Sequence, residues 1–157
     1  MDGLGSGEQA RKSAEMAAGV IRSLHRLDVA QLVKACNDVL VNHRGVVLTI
    51  IKVDYNRQLI DYCNFGNIGF ILYLPDGTTF EPIPARGYLS GKKQVIKSST
   101  YRFYQGAVFL LYSDGLKRRP AKERLLRMTS PTVGLENLLE KENYAIDDVT
   151  ILIGRFK

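Results

Sequence analysis

The sequence predicts an α+β fold in which helices precede and follow a run of meandering, largely antiparallel strands. Two observations carry that expectation. Apolar residues first recur at three- and four-residue steps, as helical faces require, and from Val46 onward they gather in short β-branched runs divided by turn residues. The strand-like runs then succeed one another without helices between them, which disfavours βαβ alternation and a Rossmann-type fold.

The first helix is expected over residues 8–25, where Ala10, Ala14, Ala17, Val20, Ile21 and Leu24 form one face rich in small residues. Asp28 offers an N-cap side chain for a second amphipathic helix through Val29, Leu32, Val33, Cys36, Val39 and Leu40, ending near Gly45. A hairpin follows, residues 46–53 and 58–65 around a polar turn at 54–57. A second pair, 68–74 and 78–83, is joined by Pro75, Asp76 and Gly77, whose fixed φ and free φ respectively suit a tight turn. A loop containing Pro84, Gly87, Ser90 and Gly91 leads to strands over 94–104 and 107–112, helical segments over 120–128 and 132–142, and a closing strand over 149–156.

At 157 residues, with no repeat or linker-like stretch, residues 1–157 are expected to form a single domain with one sizeable core. A hydrophobic fraction of 45% and a charged fraction of 24% suit a soluble globular chain, and no apolar run approaches the roughly 20 residues a membrane span needs. The polar, Gly-rich start lacks the pattern of a secretory signal, so a cytoplasmic location is expected. Cys36 and Cys63, without CxxC spacing or a His pair, read as two reduced thiols. The formal charge of +6 is spread along the chain; Lys92, Lys93 and the run Lys117, Arg118 and Arg119 read as solvated surface, and no recognition motif accompanies them to suggest nucleic acid.

His25 and His43 fall at predicted helix ends without an obvious Ser or Cys partner to activate, so they read as structural or solvated. Carboxylates are more suggestive. Asp2-Gly3, Asp114-Gly115 and Asp147-Asp148 sit near predicted element ends, and hard cations such as Mg²⁺ and Mn²⁺ prefer carboxylate, carbonyl and water oxygens. Any one Asp-Gly pair is also an ordinary turn, and Asp76-Gly77 is read as one. Gly3, Gly5 and Gly7 resemble a phosphate loop only superficially, since the GK[ST] ending and a preceding strand are lacking.

The ordered set Asp2-Gly3-Leu4-Gly5-Ser6-Gly7, Gly66-Asn67, Gly87-Tyr88-Leu89-Ser90-Gly91-Lys92, Ser113-Asp114-Gly115-Leu116 and Asp147-Asp148-Val149-Thr150 resembles type-2C (PPM) metal-dependent Ser/Thr protein phosphatases, specifically the small bacterial kind that serves stress signalling. The resemblance implies a PPM-type β-sandwich flanked by helices. It also implies two Mn²⁺ or Mg²⁺ ions, with metal ligands at Asp2, Gly3 (through its carbonyl), Asp114 and Asp147, and Asp148 as a neighbour. The implied activity is hydrolysis of phosphoserine or phosphothreonine by water activated at the metals, without a covalent protein nucleophile. The implied partners are phosphorylated stressosome scaffold proteins, with no nucleic acid and no membrane.

The sequence departs from the family pattern in two places. Leu4 stands where larger members carry His, so nothing transfers to that position. The family also has strands and a further acidic ligand before its first Asp-Gly, whereas here Met1 precedes it directly. The expectation is therefore a fold lacking the N-terminal strands, with an incomplete metal site and with Asp2 left without a strand to hold it. A catalytically inactive phosphatase-fold binding module is the competing expectation.

Overall fold

The computed structural model describes residues 1–116, 121–128, 130–139 and 149–157. Those residues form two compact units, each discontinuous in sequence. The first comprises Met1–Ile68 and Pro84–Arg102, the second Gly69–Ile83 and Phe103–Lys157.

In the first unit, strand β1 (Asp2–Gly3) leads into helices α1 (Glu8–Leu24) and α2 (Val29–Asp38), followed by β2 (Val46–Asp54) and β3 (Leu59–Phe65), with β6 (Ser98–Arg102) returning later. The sheet order is β1-β2-β3-β6, every pair antiparallel. Strands β2 and β3 are the expected hairpin, in register from Leu48 opposite Phe65 to Asp54 opposite Leu59. Its turn is closed by the Arg57 amide donating to Asp54 Oδ1 at 3.0 Å.

Helix α2 begins where Asp28 predicts. The Asp28 carboxylate accepts from the Gln31 amide at 2.8 Å, and Gln31 Oε1 accepts in return from the Asp28 amide at 3.3 Å, satisfying two otherwise orphaned donors. The helix stops at Asp38 rather than near Gly45. Val39 and Val41 are β-branched, and Asn42 takes a left-handed φ of 61°, which no helix continues through.

The core of this unit lies between the helices and one face of β2 and β3. Ala17, Val29, Leu32, Val33, Cys36 and Leu40 meet Val46, Leu48, Ile50, Cys63 and Phe65 there. Burying a Leu such as Leu32 or Leu48 contributes roughly 1.5–3 kcal/mol. Cys36 and Cys63 are free and buried among these side chains, behaving as small hydrophobes.

In the second unit, β4 (Gly69–Tyr73), β5 (Thr79–Phe80), β7 (Val108–Tyr112) and β8 (Ile151–Arg155) form a sheet in the order β5-β4-β7-β8, again wholly antiparallel. Helices α3 (Lys122–Arg127) and α4 (Pro131–Leu139) belong to the same unit, and Leu125 and Met128 pack with Ile71, Tyr73, Val108 and Leu110. Phe156 stacks on Phe103 with centroids 4.0 Å apart. Arg155 donates from Nη1 to the Met128 carbonyl at 2.7 Å and from Nη2 to the Leu126 carbonyl, so a cation caps the carbonyl end of α3. The Asp76-Gly77 turn forms as expected, with the Thr78 amide donating to Asp76 Oδ1 at 2.7 Å, a bond that holds the Asp76 carboxyl below its usual range.

Several boundaries differ from expectation. The strand expected over 78–83 is only Thr79–Phe80, because Pro82 and Pro84 bring no amide to a ladder. The strand expected over 94–104 is Ser98–Arg102; its ladder with β3 ends at Cys63 opposite Ser98, and beyond it β3 turns to residue 85, where Gly66 donates to the Ala85 carbonyl at 2.9 Å and Asn64 Oδ1 accepts from the Ala85 amide at 3.0 Å. Residues 140–142 of the last expected helix, and the basic run Lys117, Arg118 and Arg119, lie outside the described residues.

Burial pushes both thiols up to about 11, so they stay protonated in the folded chain at pH values where unfolded thiols ionise. The folded pKa being the raised one, this contribution to stability is full below about pH 9 and declines as pH rises toward 11. Urea unfolding at pH 7 to 10 should therefore show a steeper alkaline loss in this chain than in its Cys36→Ala/Cys63→Ala variant. Parallel losses would contradict it.

Candidate metal site and the neighbouring cleft

Asp2 is held by a strand after all, which corrects the expectation drawn from its place near the chain start. Asp2 pairs with Val47 and Gly3 with Val46, and the Leu4 amide continues the ladder by donating to the Gly45 carbonyl at 2.8 Å. Its carboxylate is exposed, whereas Gly3 is buried. A Cβ at position 3 would stand 2.0 Å from the Ala10 carbonyl oxygen, so only glycine lets the first turn of α1 rest on this strand.

Asp114 belongs to the second unit and is exposed in the turn that follows β7. The turn is tied down beside it: the Ser113 amide donates to the Thr150 carbonyl at 3.0 Å, and the Thr150 amide donates back to Ser113 Oγ at 2.9 Å. The residues just before β8 are thus anchored next to Asp114. Asp147 and Asp148, which come immediately before that anchored stretch in sequence, lie outside the described residues.

The donors that are described, the Asp2 carboxylate, the Gly3 carbonyl and the Asp114 carboxylate, are all hard oxygens and match the preference of Mg²⁺ or Mn²⁺. Among the described residues, no three His, Cys, Asp or Glu side chains converge as a ligand group. Also among them, no helix is long and apolar enough to cross a membrane.

Beside the Asp2 loop opens a cleft of about 720 Å³, lined by Leu4 and Gly5, by residues 41–45, and by Tyr88, Ser90, Gly91 and Lys92. Both its walls are fastened. Arg44 reaches across Gly5, donating from Nε to Gln9 Oε1 at 3.3 Å and from Nη1 toward the Leu4 carbonyl at 3.5 Å. On the other wall the buried Asn37 accepts from the Ser90 and Gly91 amides, both at 3.1 Å, and donates to the Lys92 carbonyl at 3.0 Å. Gly91 has φ 79°, and a Cβ there would stand 2.6 Å from Val41 Cα. His43, Arg44 and Lys92 are exposed. The ion pairs found among the described residues, Arg11–Glu15 and Lys34–Asp38, involve none of the three.

Neither Asn37 nor Arg44 stands out in the sequence by residue type. A signal for Asn37 does exist: with Val33, Cys36 and Leu40 it completes a 33, 36, 37, 40 spacing, which places an amide on the apolar face of α2, where it must find partners. No comparable pattern marks Arg44.

Residues 1–157 match the family described as Stage II sporulation protein E (SpoIIE). The chain is similar to the phosphoserine phosphatase RsbX of Bacillus subtilis (strain 168), with 32% identity over 154 residues, covering 98% of this chain and 77% of RsbX. It superposes on the crystal structure of RsbX in complex with magnesium at a TM-score of 0.91, covering 99% of this chain and 78% of that one. A structure described as a bacterial stressosome adapted to control secondary messenger signalling gives 0.82 at 25% identity, over 98% of this chain and 81% of the other. The catalytic domain of the serine/threonine phosphatase PstP with two manganese ions gives 0.75 at 16% identity, over 96% and 83% of the two chains, and so shares the fold.

Asn37→Ala would leave the Ser90 and Gly91 amides without their acceptor, at a cost of about 2–3 kcal/mol. Urea unfolding should report that loss, and amide exchange at Ser90 and Gly91 should accelerate. Unchanged exchange at both positions would contradict the role given to Asn37.

Proposed function

The chain belongs to the SpoIIE family, and on that premise we propose that it is a metal-dependent phosphatase acting on phosphoserine or phosphothreonine of a bacterial stress-signalling protein. The observation that carries this reading is the 32% identity to RsbX, a phosphoserine phosphatase, across 98% of the chain. Phosphorylated stressosome scaffold proteins are the proposed partners, the cytoplasm is the proposed location, and residues 1–157 are proposed to act as one phosphatase domain.

Asp2, the Gly3 carbonyl, Asp114 and Asp147 are the proposed donors to Mg²⁺ or Mn²⁺. When bound, such ions lower the pKa of water and neutralise charge on a phosphoryl group, which is most of what phosphoryl transfer to water requires. The chain's own residues supply position. The contact of Gly3 with Ala10 fixes the strand that carries Asp2, and the Ser113–Thr150 bonds fix the turn that carries Asp114. A preorganised donor loses little to reorganisation when charge develops on the phosphoryl oxygens. The chemistry needs no Ser, Cys or His nucleophile.

Hydrolysis of a phosphoserine peptide is expected with Mn²⁺, is expected to cease with EDTA, and should fall about 100-fold or more in Asp114→Ala. Metal-independent turnover would contradict the proposal. Binding of the phosphorylated partner without turnover at any metal concentration would identify an inactive binding module instead.

A further inference from the structure

We propose that the cleft beside the Asp2 loop is a specificity site that receives acidic side chains flanking the phosphorylated residue of a protein substrate. The inference rests on the phosphatase reading and adds to it the local charge of the substrate.

Position is the first argument. The cleft starts at Leu4 and Gly5, directly after the Asp2-Gly3 strand. A polypeptide with its phosphorylated residue at Asp2 runs on at about 3.3 Å per extended residue, so its near neighbours fall within reach of a 720 Å³ cleft.

Charge is the second. Among the described residues, the lining contains Arg44, Lys92 and His43 and no Asp or Glu. Arg44 is fastened only to neutral acceptors, the Gln9 amide oxygen and the Leu4 carbonyl, which orient its guanidinium without compensating its charge. Lys92 is held by its backbone carbonyl through Asn37, so its exposed ammonium is not spent on the fold. Cations with no carboxylate partner among the described residues, in a cleft whose walls are already fastened, favour an anionic ligand.

Tyr88 is the single aromatic among the described residues of the lining, which is not the row of stacking platforms that single-stranded nucleic acid uses. An acidic polypeptide segment therefore fits the cleft better than an oligonucleotide.

The test compares two fluorescent phosphoserine peptides of equal length, one flanked by Asp and Glu and the other by Asn and Gln. Anisotropy is measured at low salt in EDTA, so that binding is read without turnover. The chain is expected to bind the acidic peptide about tenfold more tightly, and this preference should fall below about threefold in Arg44→Gln and in Lys92→Glu. Lys92→Glu alters a side chain outside the fold's hydrogen bonds and keeps the test valid if Arg44→Gln fails to fold. No preference in the unaltered chain, an undiminished preference in folded Lys92→Glu, or displacement of the peptide by an equal concentration of oligothymidylate would each overturn the proposal. A preference without Mn²⁺-dependent hydrolysis would count against the phosphatase reading alone, and hydrolysis without preference against the cleft alone.

Discussion

The rest of the first unit depends on one contact, the backbone of Ala10 resting on Gly3. At 2.0 Å from the Ala10 carbonyl oxygen, the place a Cβ would occupy is already filled, so the start of α1 and strand β1 are locked together without a side chain between them. Because β1 is paired to the first residues of β2, the contact also sets where α1 sits on the sheet. The buried face of α1 is made of small residues, Ala10, Ser13 and Ala17, which let it lie close. Ser13 satisfies its hydroxyl within the helix by donating to the Gln9 carbonyl at 3.0 Å. An exposed carboxylate at Asp2 is thus carried on a strand that packing holds from one side and a ladder from the other.

A similar economy governs the cleft. Three hydrogen bonds from one buried amide, Asn37, hold the backbone of Ser90, Gly91 and Lys92, and the left-handed Gly91 lets that turn press against Val41. Fixing that wall through backbone groups leaves the Lys92 side chain exposed. In the second unit Arg155 does the opposite: its guanidinium is consumed in capping the carbonyls of α3 and is unavailable for other work.

The order and type of the elements were legible because their signals are local. Asp28 ahead of an apolar periodicity, the β-branched run from Val46, and Pro75-Asp76-Gly77 between two apolar runs each dictate a conformation with few alternatives. Lengths were less legible where a distant partner decides them. Strand β5 is cut short by prolines the sequence displays, but the end of β6 depends on β3 turning to residue 85, which no local pattern announces. The strand at Asp2–Gly3 was missed for the same reason, since two residues carry no periodicity and their pairing with Val46 and Val47 is a property of the sheet. Within the candidate site, the Asp-Gly pairs were visible as motifs. Asn37 and Arg44, which fasten their surroundings, were not, nor was the bond between Ser113 and Thr150, because the partners lie tens of residues apart.

The proposed function requires the carboxylates of Asp2 and Asp114 as donors to a cation. Calorimetric titration of Mn²⁺ into the chain, and into Asp2→Asn and Asp114→Asn with folding verified, tests it most directly. Saturable binding to the chain is expected, with affinity about tenfold or more lower in each variant. Undiminished binding in both variants would contradict it.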